Sequence, residues 1–143
     1  MIVFNDFEHA DQIAEAAGCQ FNRRFDHCIS RERNGELLGG VVYSGYTGKS
    51  IGIHVAGFCD DWISKDMLWV CFHYPFVQLK CEVLFGQVPS DNLRALEFDR
   101  KLGFKIEARI PDVFPNADLV VLKMRKSECR WLKLKRSAME EAA

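Results

Sequence analysis

The chain has 143 residues, a formal net charge of −1, and 48% apolar against 27% charged residues. These totals describe one domain with a core of its own and exclude a disordered or low-complexity chain. So even a charge balance excludes global attraction to nucleic acid or to an anionic membrane. Six cysteines occur without a Cys-x-x-Cys pair, and no stretch resembles a signal peptide or a membrane span. Reduced thiols and a cytoplasmic setting are therefore expected. Cys59, Cys71, His73 and Cys81 follow no zinc-ligand spacing, so no metal is expected.

Met1–Phe4 reads as a short strand. Glu8–Ala17 has helical spacing, with Asp6 as its cap and Gly18 as its stop. Cys28–Glu32 and Glu36–Tyr43 flank Asn34-Gly35, a two-residue hairpin signal. Gly45–Gly48 makes the next turn. Ser50–Phe58 then alternates, with Ile51, Ile53 and Val55 on one face and Gly52, His54 and Ala56 on the other. Ser64–Leu79 is apolar nearly all round, which predicts a buried helix capped by Ser64. Pro75 lies deep inside it. The missing N–H of that proline frees the carbonyl of Cys71, so a kink or restart is expected there. Cys81–Val88 is the next strand, and Lys105–Ile110 and Leu119–Met124 are the last two.

Between them lies the most informative segment, Pro89 to Phe104. Ser90 or Asp91 can cap a helix that Gly103 stops and Phe104 anchors. Asn92, Ala95 and Asp99 fall at i, i+3 and i+7 on one stripe that is polar, tiny and polar. Such a stripe suits a surface against which a ligand slides. Asn92-x-x-Ala95 followed by Gly103-Phe104 resembles the last motif of the GNAT superfamily of acyl-CoA N-acyltransferases, and residues 36 to 124 follow the element order of that family. The resemblance implies an α/β fold with a mixed sheet splayed between its fourth and fifth strands, helices on both faces, and a single domain over residues 1–126. Residues 127–143 would form a basic tail or helix.

The resemblance also implies chemistry. An acetyl group would pass from acetyl-CoA, the co-substrate, to a primary amine. The pantetheine arm would pair with the splayed strand near Val55, Ala56 and Gly57, where Ala56-Gly57 reads as a bulge opening the gap or as a plain strand end. Asn92 and Ala95 would border the arm, and a backbone N–H at Val55 or Ala56 would face the oxyanion. The diphosphate would lie on the next helix start, at Ser64, Lys65 and the amides of Asp66 and Met67, with Arg100, Arg94 or Lys101 also facing phosphates. The family writes a glycine pair in that loop. This chain instead reads Cys59-Asp60-Asp61-Trp62-Ile63-Ser64-Lys65-Asp66-Met67, and Asp60, Asp61 and Asp66 oppose an anion. The stretch from Trp62 to Tyr74-Pro75-Phe76 is similar to GNAT-like proteins of bacteriophages, which implies a host cytoplasm.

His54 is the candidate general base, because histidine titrates near neutrality and lies on the strand where the family places a base. Its alternative is a partly buried histidine with a backbone partner. Asp99 stands where the family often has the tyrosine that protonates the leaving thiolate. It is a candidate acid, or a helix-face residue paired with Arg94, Arg100 or Lys101. Tyr74 or Tyr46 could replace it. The acceptor is a small-molecule or protein amine, and Gly18–His27 and Tyr43–Lys49 would line its site. The altered loop and missing tyrosine also admit a non-catalytic GNAT-fold module that binds CoA or a protein. A second copy of the chain is a candidate partner. Arg130-Trp131-Leu132-Lys133-Leu134-Lys135-Arg136 offers nucleic acid a basic, aromatic contact, a weaker reading than a solvated or dimer-facing tail.

Overall fold

A computed structural model describes residues 1–134 of the chain. Its elements are β1 (Ile2–Phe4), α1 (Phe7–Ala17), β2 (His27–Arg33), β3 (Glu36–Ser44), β4 (Ser50–Gly57), α2 (Lys65–His73), β5 (Val83–Pro89), α3 (Leu93–Leu102), β6 (Lys105–Phe114) and β7 (Ala117–Arg125). The strands form one seven-stranded sheet in the order β1-β2-β3-β4-β5-β7-β6. Only β4 and β5 run parallel.

Local chemistry explains most element ends. Asp6 accepts from the His9 N–H and Gly18 closes α1 at φ 77°. Asn34 (φ 53°) and Gly35 (φ 79°) turn the β2–β3 hairpin, as a primed turn requires. Ser64 caps α2 through the Met67 N–H, and Gly103 (φ 113°) ends α3. Neither Ser90 nor Asp91 caps α3. Asn92 does, its Oδ1 accepting from the Ala95 N–H at 3.2 Å, while the Ser90 hydroxyl is taken by the Asp118 N–H.

Pro75 acts as the sequence predicts, and the structure adds a partner. α2 stops at His73 and the chain continues as a π-helical turn over Tyr74–Gln78. The Cys71 carbonyl, deprived of the N–H of residue 75, accepts instead from the buried Tyr43 hydroxyl. A buried phenol needs an acceptor and a buried carbonyl needs a donor, so each satisfies the other.

The sheet separates two packed layers. α1 covers β2, β3 and β4, where Ala10 and Ile13 meet Cys28 and Val42. The opposite face is the larger core, with Tyr43, Ile51, Phe72, Phe76, Leu84, Leu122 and Met124 buried. α2 and α3 lie on this face. Past β7, Cys129 is buried, the Trp131 indole N–H donates to the Leu102 carbonyl at 2.8 Å, and Arg130 donates to the Lys101 carbonyl. The first residues of the basic C-terminal segment therefore seal the bottom of α3. Its remainder lies outside the described residues.

β6 is an edge strand, exposed along its length. Its pairing with β7 shifts register twice, and Pro111 and Asp112 (φ 64°) fall in the second shift. Such interruptions blunt an open edge against pairing with other chains. Among the described residues no helix is long and apolar enough to cross a membrane, and no group of three or more His, Cys, Asp or Glu could hold a metal ion.

Candidate active site

β4 and β5 pair only from Ser50↔Val83 to Gly52↔Phe85. Beyond that point each strand stays with its other neighbour, β4 with β3 as far as Gly57↔Gly39 and β5 with β7 as far as Pro89↔Leu119. The two strands therefore diverge and leave a gap. No bulge at Ala56-Gly57 opens it, since β3 and β4 keep unbroken register there. Gly57 serves another contact, described below.

The register also fixes which backbone groups face the gap. Phe58 N–H donates to the Leu38 carbonyl, so alternation commits Ala56 and His54 to β3 and turns Ile53, Val55 and Gly57 toward β5. Across the gap, Lys126 N–H donates to the Glu82 carbonyl and Ser90 N–H to that of Asp118. By the same alternation Gln87 and Pro89 face β4. Pro89, which has no N–H, thus sits where its missing donor breaks no ladder. The N–H that can face a ligand oxyanion is that of Val55. The Ala56 N–H is occupied by the sheet.

A cleft of about 720 Å³ fills the gap and reaches both sides of the sheet. It brings together His54, Val55, Ala56 and Gly57 from β4 with Asn92, Ala95 and Asp99 from α3. The stripe read from the sequence thus faces the open edge of β4. Ser64, Lys65, Asp66, Met67, Arg100 and Tyr74 do not line this cleft, whereas Arg94 and Lys101 do. Tyr74 is displaced because the π-helical turn points it toward the closed end of the sheet, against Tyr43 (5.5 Å between ring centroids) and His27 (5.6 Å). Tyr46, the other tyrosine considered, donates to the Leu79 carbonyl at 3.0 Å, away from the cleft.

His54 and Asp99, both lining the cleft, stand on opposite faces of the sheet. His54 is on the α1 side, with Nε2 3.1 Å from the Ser44 hydroxyl. Burial pushes its pKa down, and the Asp26 carboxylate opposes that push. Asp99 is on the α3 side. Its carboxylate lies over Gly86, where an added Cβ would sit 3.4 Å from Oδ2. Among the described residues its side chain forms no ion pair, and Lys101 pairs instead with Glu97 at 3.3 Å. The pairing expected for Asp99 is therefore absent, and burial alone raises its pKa to about 6.

This shift predicts a stability effect with a defined sign. Asp99 has a folded-state pKa above its ordinary value of 3.8, so the stability it contributes is full below about pH 4 and lost as pH rises through about 6. Asp99→Asn, which cannot ionise, is expected to be more stable than the parent at pH 8 by roughly 2 kcal/mol, allowing for partial solvent screening. The difference shrinks toward zero at pH 4. Urea unfolding at the two pH values measures it, and an equal difference at both would mean that Asp99 is solvated in the folded chain.

The loop after β4 departs from an anion cradle. It forms a single 3-10 turn at Asp60–Trp62, tied to β2 because Arg31 donates to the Asp61 carbonyl (2.7 Å) and Arg33 pairs with the Asp61 carboxylate (3.2 Å). Asp60 lines the cleft mouth. The Met67 amide is consumed by the Ser64 cap at 3.1 Å. Trp62 closes the 3-10 turn and is buried. Its indole lies across the cross-strand pair Gly39 and Gly57, where an added Cβ would stand 2.7 Å and 2.2 Å from ring atoms, and it packs on Phe98 (6.2 Å). Below it is an apolar void of about 20 Å³ lined by Val41, Ile53, Val55, Cys71 and Phe72, among others. The residues present thus fit an extended amide-bearing arm along β4. For phosphates they offer Arg94 and Lys101, not the helix start.

Trp62 and the pairing of Gly39 with Gly57 have no place in the sequence-derived site, and Ser44 enters it only within the acceptor-lining stretch Tyr43–Lys49, with no role of its own.

With the divergent β4 and β5 between α1 and α2/α3, the chain has the fold of GNAT acetyltransferases, and solved structures bear this out. YncA of Salmonella typhimurium, solved with its cofactor acetyl-CoA, is 16% identical, with a TM-score of 0.66 over 87% of this chain and 92% of that one. A GNAT-family acetyltransferase from Bacillus anthracis is 11% identical, with a TM-score of 0.61 over 87% of both chains. A chimera of the spermidine N-acetyltransferase SpeG from Vibrio cholerae and hSSAT is 17% identical, with a TM-score of 0.61 over 73% of this chain and 69% of that one. No protein-family model and no curated protein sequence matches the chain.

Proposed function

We propose that the protein is an N-acetyltransferase that moves an acetyl group from acetyl-CoA to a primary amine in the β4–β5 cleft. The observation that carries this reading is the open edge of β4, where unpaired backbone groups, His54 and Asp99 line one gap. An acetyl thioester supplies an activated carbonyl to such a site. Ile53, Val55 and Gly57 hold the pantetheine arm as though it were an added strand, with Asn92 and Ala95 against its other side. The Val55 N–H faces the carbonyl oxygen as negative charge develops there. His54 takes the proton of the attacking amine from the α1 side. The new N–C bond forms as the C–S bond breaks, and Asp99 gives its proton to the departing sulfur. The depressed pKa of His54 keeps it neutral at pH 7 and able to accept. A carboxyl with a pKa of about 6 is protonated about a tenth of the time at that pH.

A second reading, a GNAT-fold module that binds CoA or a protein without turnover, is favoured by the loop at residues 59–67. Asp60 faces the cleft there and the Met67 amide is already capped. Thermal unfolding with acetyl-CoA, free CoA and ATP as an anion control separates the possibilities. Saturation at about 100 times the dissociation constant is expected to add roughly 2.7 kcal/mol, a rise of several degrees. No shift with either CoA species would sink the acetyl-CoA reading. A shift without product from a panel of primary amines would favour the second.

A further inference from the structure

We infer that Ser44 is the positioning residue for His54: its hydroxyl holds Nε2 of the imidazole, which leaves Nδ1 to take the proton of the acceptor. This rests on the acyl-transfer reading of the cleft.

The contact follows from strand register. Ser44 pairs with Gly52, and Val42 with His54. Ser44 and His54 are thus diagonal neighbours on the α1 side of an antiparallel pair, within reach of one another's side chains. Gly52 keeps the space over the bond clear. A Cβ there would stand 3.7 Å from the Ser44 hydroxyl and 3.9 Å from His54 Nε2, so any longer side chain would lie across the contact. The hydroxyl and Nε2 are 3.1 Å apart.

A neutral imidazole has one donor and one acceptor nitrogen, while a serine hydroxyl can play either part. If Ser44 donated to Nε2, Nδ1 would carry the proton and neither nitrogen could serve as base. If Nε2–H donates to Ser44, the Nδ1 lone pair is free. The second arrangement also stabilises the imidazolium, since the Nε2–H···Oγ bond persists after Nδ1 gains its proton. The other groups facing His54 do not fix its tautomer. Asp26, from the segment between α1 and β2, acts on His54 through its charge, and its Oδ2 already accepts from the Asn22 N–H at 2.8 Å. α1 contributes Ala16 and Ala17 to this part of the cleft, and β5 contributes the uncharged Gln87. The remaining charges of the cleft wall, Asp60, Arg94, Glu97, Asp99 and Lys101, come from the loop after β4 and from α3.

The test uses the whole chain carrying Ser44→Ala, Ser44→Thr and Ser44→Asp. Nitrogen-15 NMR of the imidazole reports tautomer and titration without requiring turnover. The parent and Ser44→Thr are expected to hold the Nε2–H tautomer, and Ser44→Ala to populate both. The His54 midpoint should fall by about half to one pH unit in Ser44→Ala, as loss of one ordinary hydrogen bond implies, and rise in Ser44→Asp. The acid limb of kcat/KM should move in the same directions, with kcat about tenfold lower in Ser44→Ala and recovered in Ser44→Thr. An imidazole in Ser44→Ala that titrates and tautomerises as in the parent overturns the assignment. A parent protein that holds Nε2–H yet acetylates no amine overturns the acyl-transfer reading, and with it the catalytic consequence of this contact.

Discussion

His54→Ala is expected to lower kcat/KM for amine acetylation by about 10²- to 10⁴-fold, the range in which a positioned general base contributes. Acetyl-CoA binding, read by thermal shift, should survive. The separation follows from geometry, because the groups proposed to hold the arm are backbone atoms of Ile53, Val55 and Gly57, while the His54 side chain projects to the α1 side. His54→Gln retains a polar group of similar reach but cannot take a proton at neutral pH, so it should be nearly as impaired as alanine. The parent's activity should rise with pH through the depressed midpoint of His54 and decline again as Asp99 loses its proton through about pH 6, the bell-shaped profile of a base and an acid acting together. A His54→Ala protein that retains parental kcat/KM would remove His54 from the mechanism and leave water or the acceptor's own basicity to serve.

Trp62→Ala should produce the largest loss of stability among residues at the cleft. The indole is 9% exposed and fills the space over two glycines that have no side chains to replace it. The helices around it cannot collapse onto the sheet without moving Phe98. Truncation of a large buried aromatic costs about 3–5 kcal/mol, which lowers Tm by roughly 10 °C in a domain of this size. Trp62→Phe should recover much of the loss, because a ring still covers the pair. Gly57→Ala tests the same contact from the other side, since its new Cβ meets the indole at 2.2 Å. It should destabilise the fold even though alanine is ordinarily acceptable in a strand. Calorimetry or a urea transition reads all three. A Trp62→Ala protein with parental Tm would mean that the loop, not the ring, covers the sheet.

Trp62 also bears on cofactor binding. A glycine-rich loop exposes amides to a diphosphate, whereas this loop buries an indole and turns Asp60 to the cleft. This loop thus presents an aromatic cover and not an anion cradle, and in the proposed reading the phosphates would rest on Arg94 and Lys101 of α3, which line the cleft.

Much of this arrangement is local and could be read in advance. Asn34-Gly35, Gly18 and Gly103 are residues whose backbone freedom marks turns and helix ends without help from distant parts of the chain. The alternation of Ile51, Ile53 and Val55 against His54 assigns faces by the period of a strand. Pro75 frees the Cys71 carbonyl because its own nitrogen has no hydrogen. Asn92, Ala95 and Asp99 share a stripe because a helix turns every 3.6 residues.

What tertiary structure decided is every property that depends on which distant residue arrives opposite. Tyr43, 28 residues away in sequence, claims the Cys71 carbonyl. Asp99 lacks the ion pair its neighbours on α3 could offer, because the helix turns it down over Gly86, and burial without a partner raises its pKa. Tyr74 is an aromatic of the right chemistry in the wrong place, since a π-helical turn carries it to the closed end of the sheet. Gly57 is a glycine to admit Trp62 and not to make a bulge. Spacing specifies what one element presents along its own length. Which presented groups meet, and how dry the meeting place is, depends on packing between elements, and the pKa values and partners of the cleft follow from that packing.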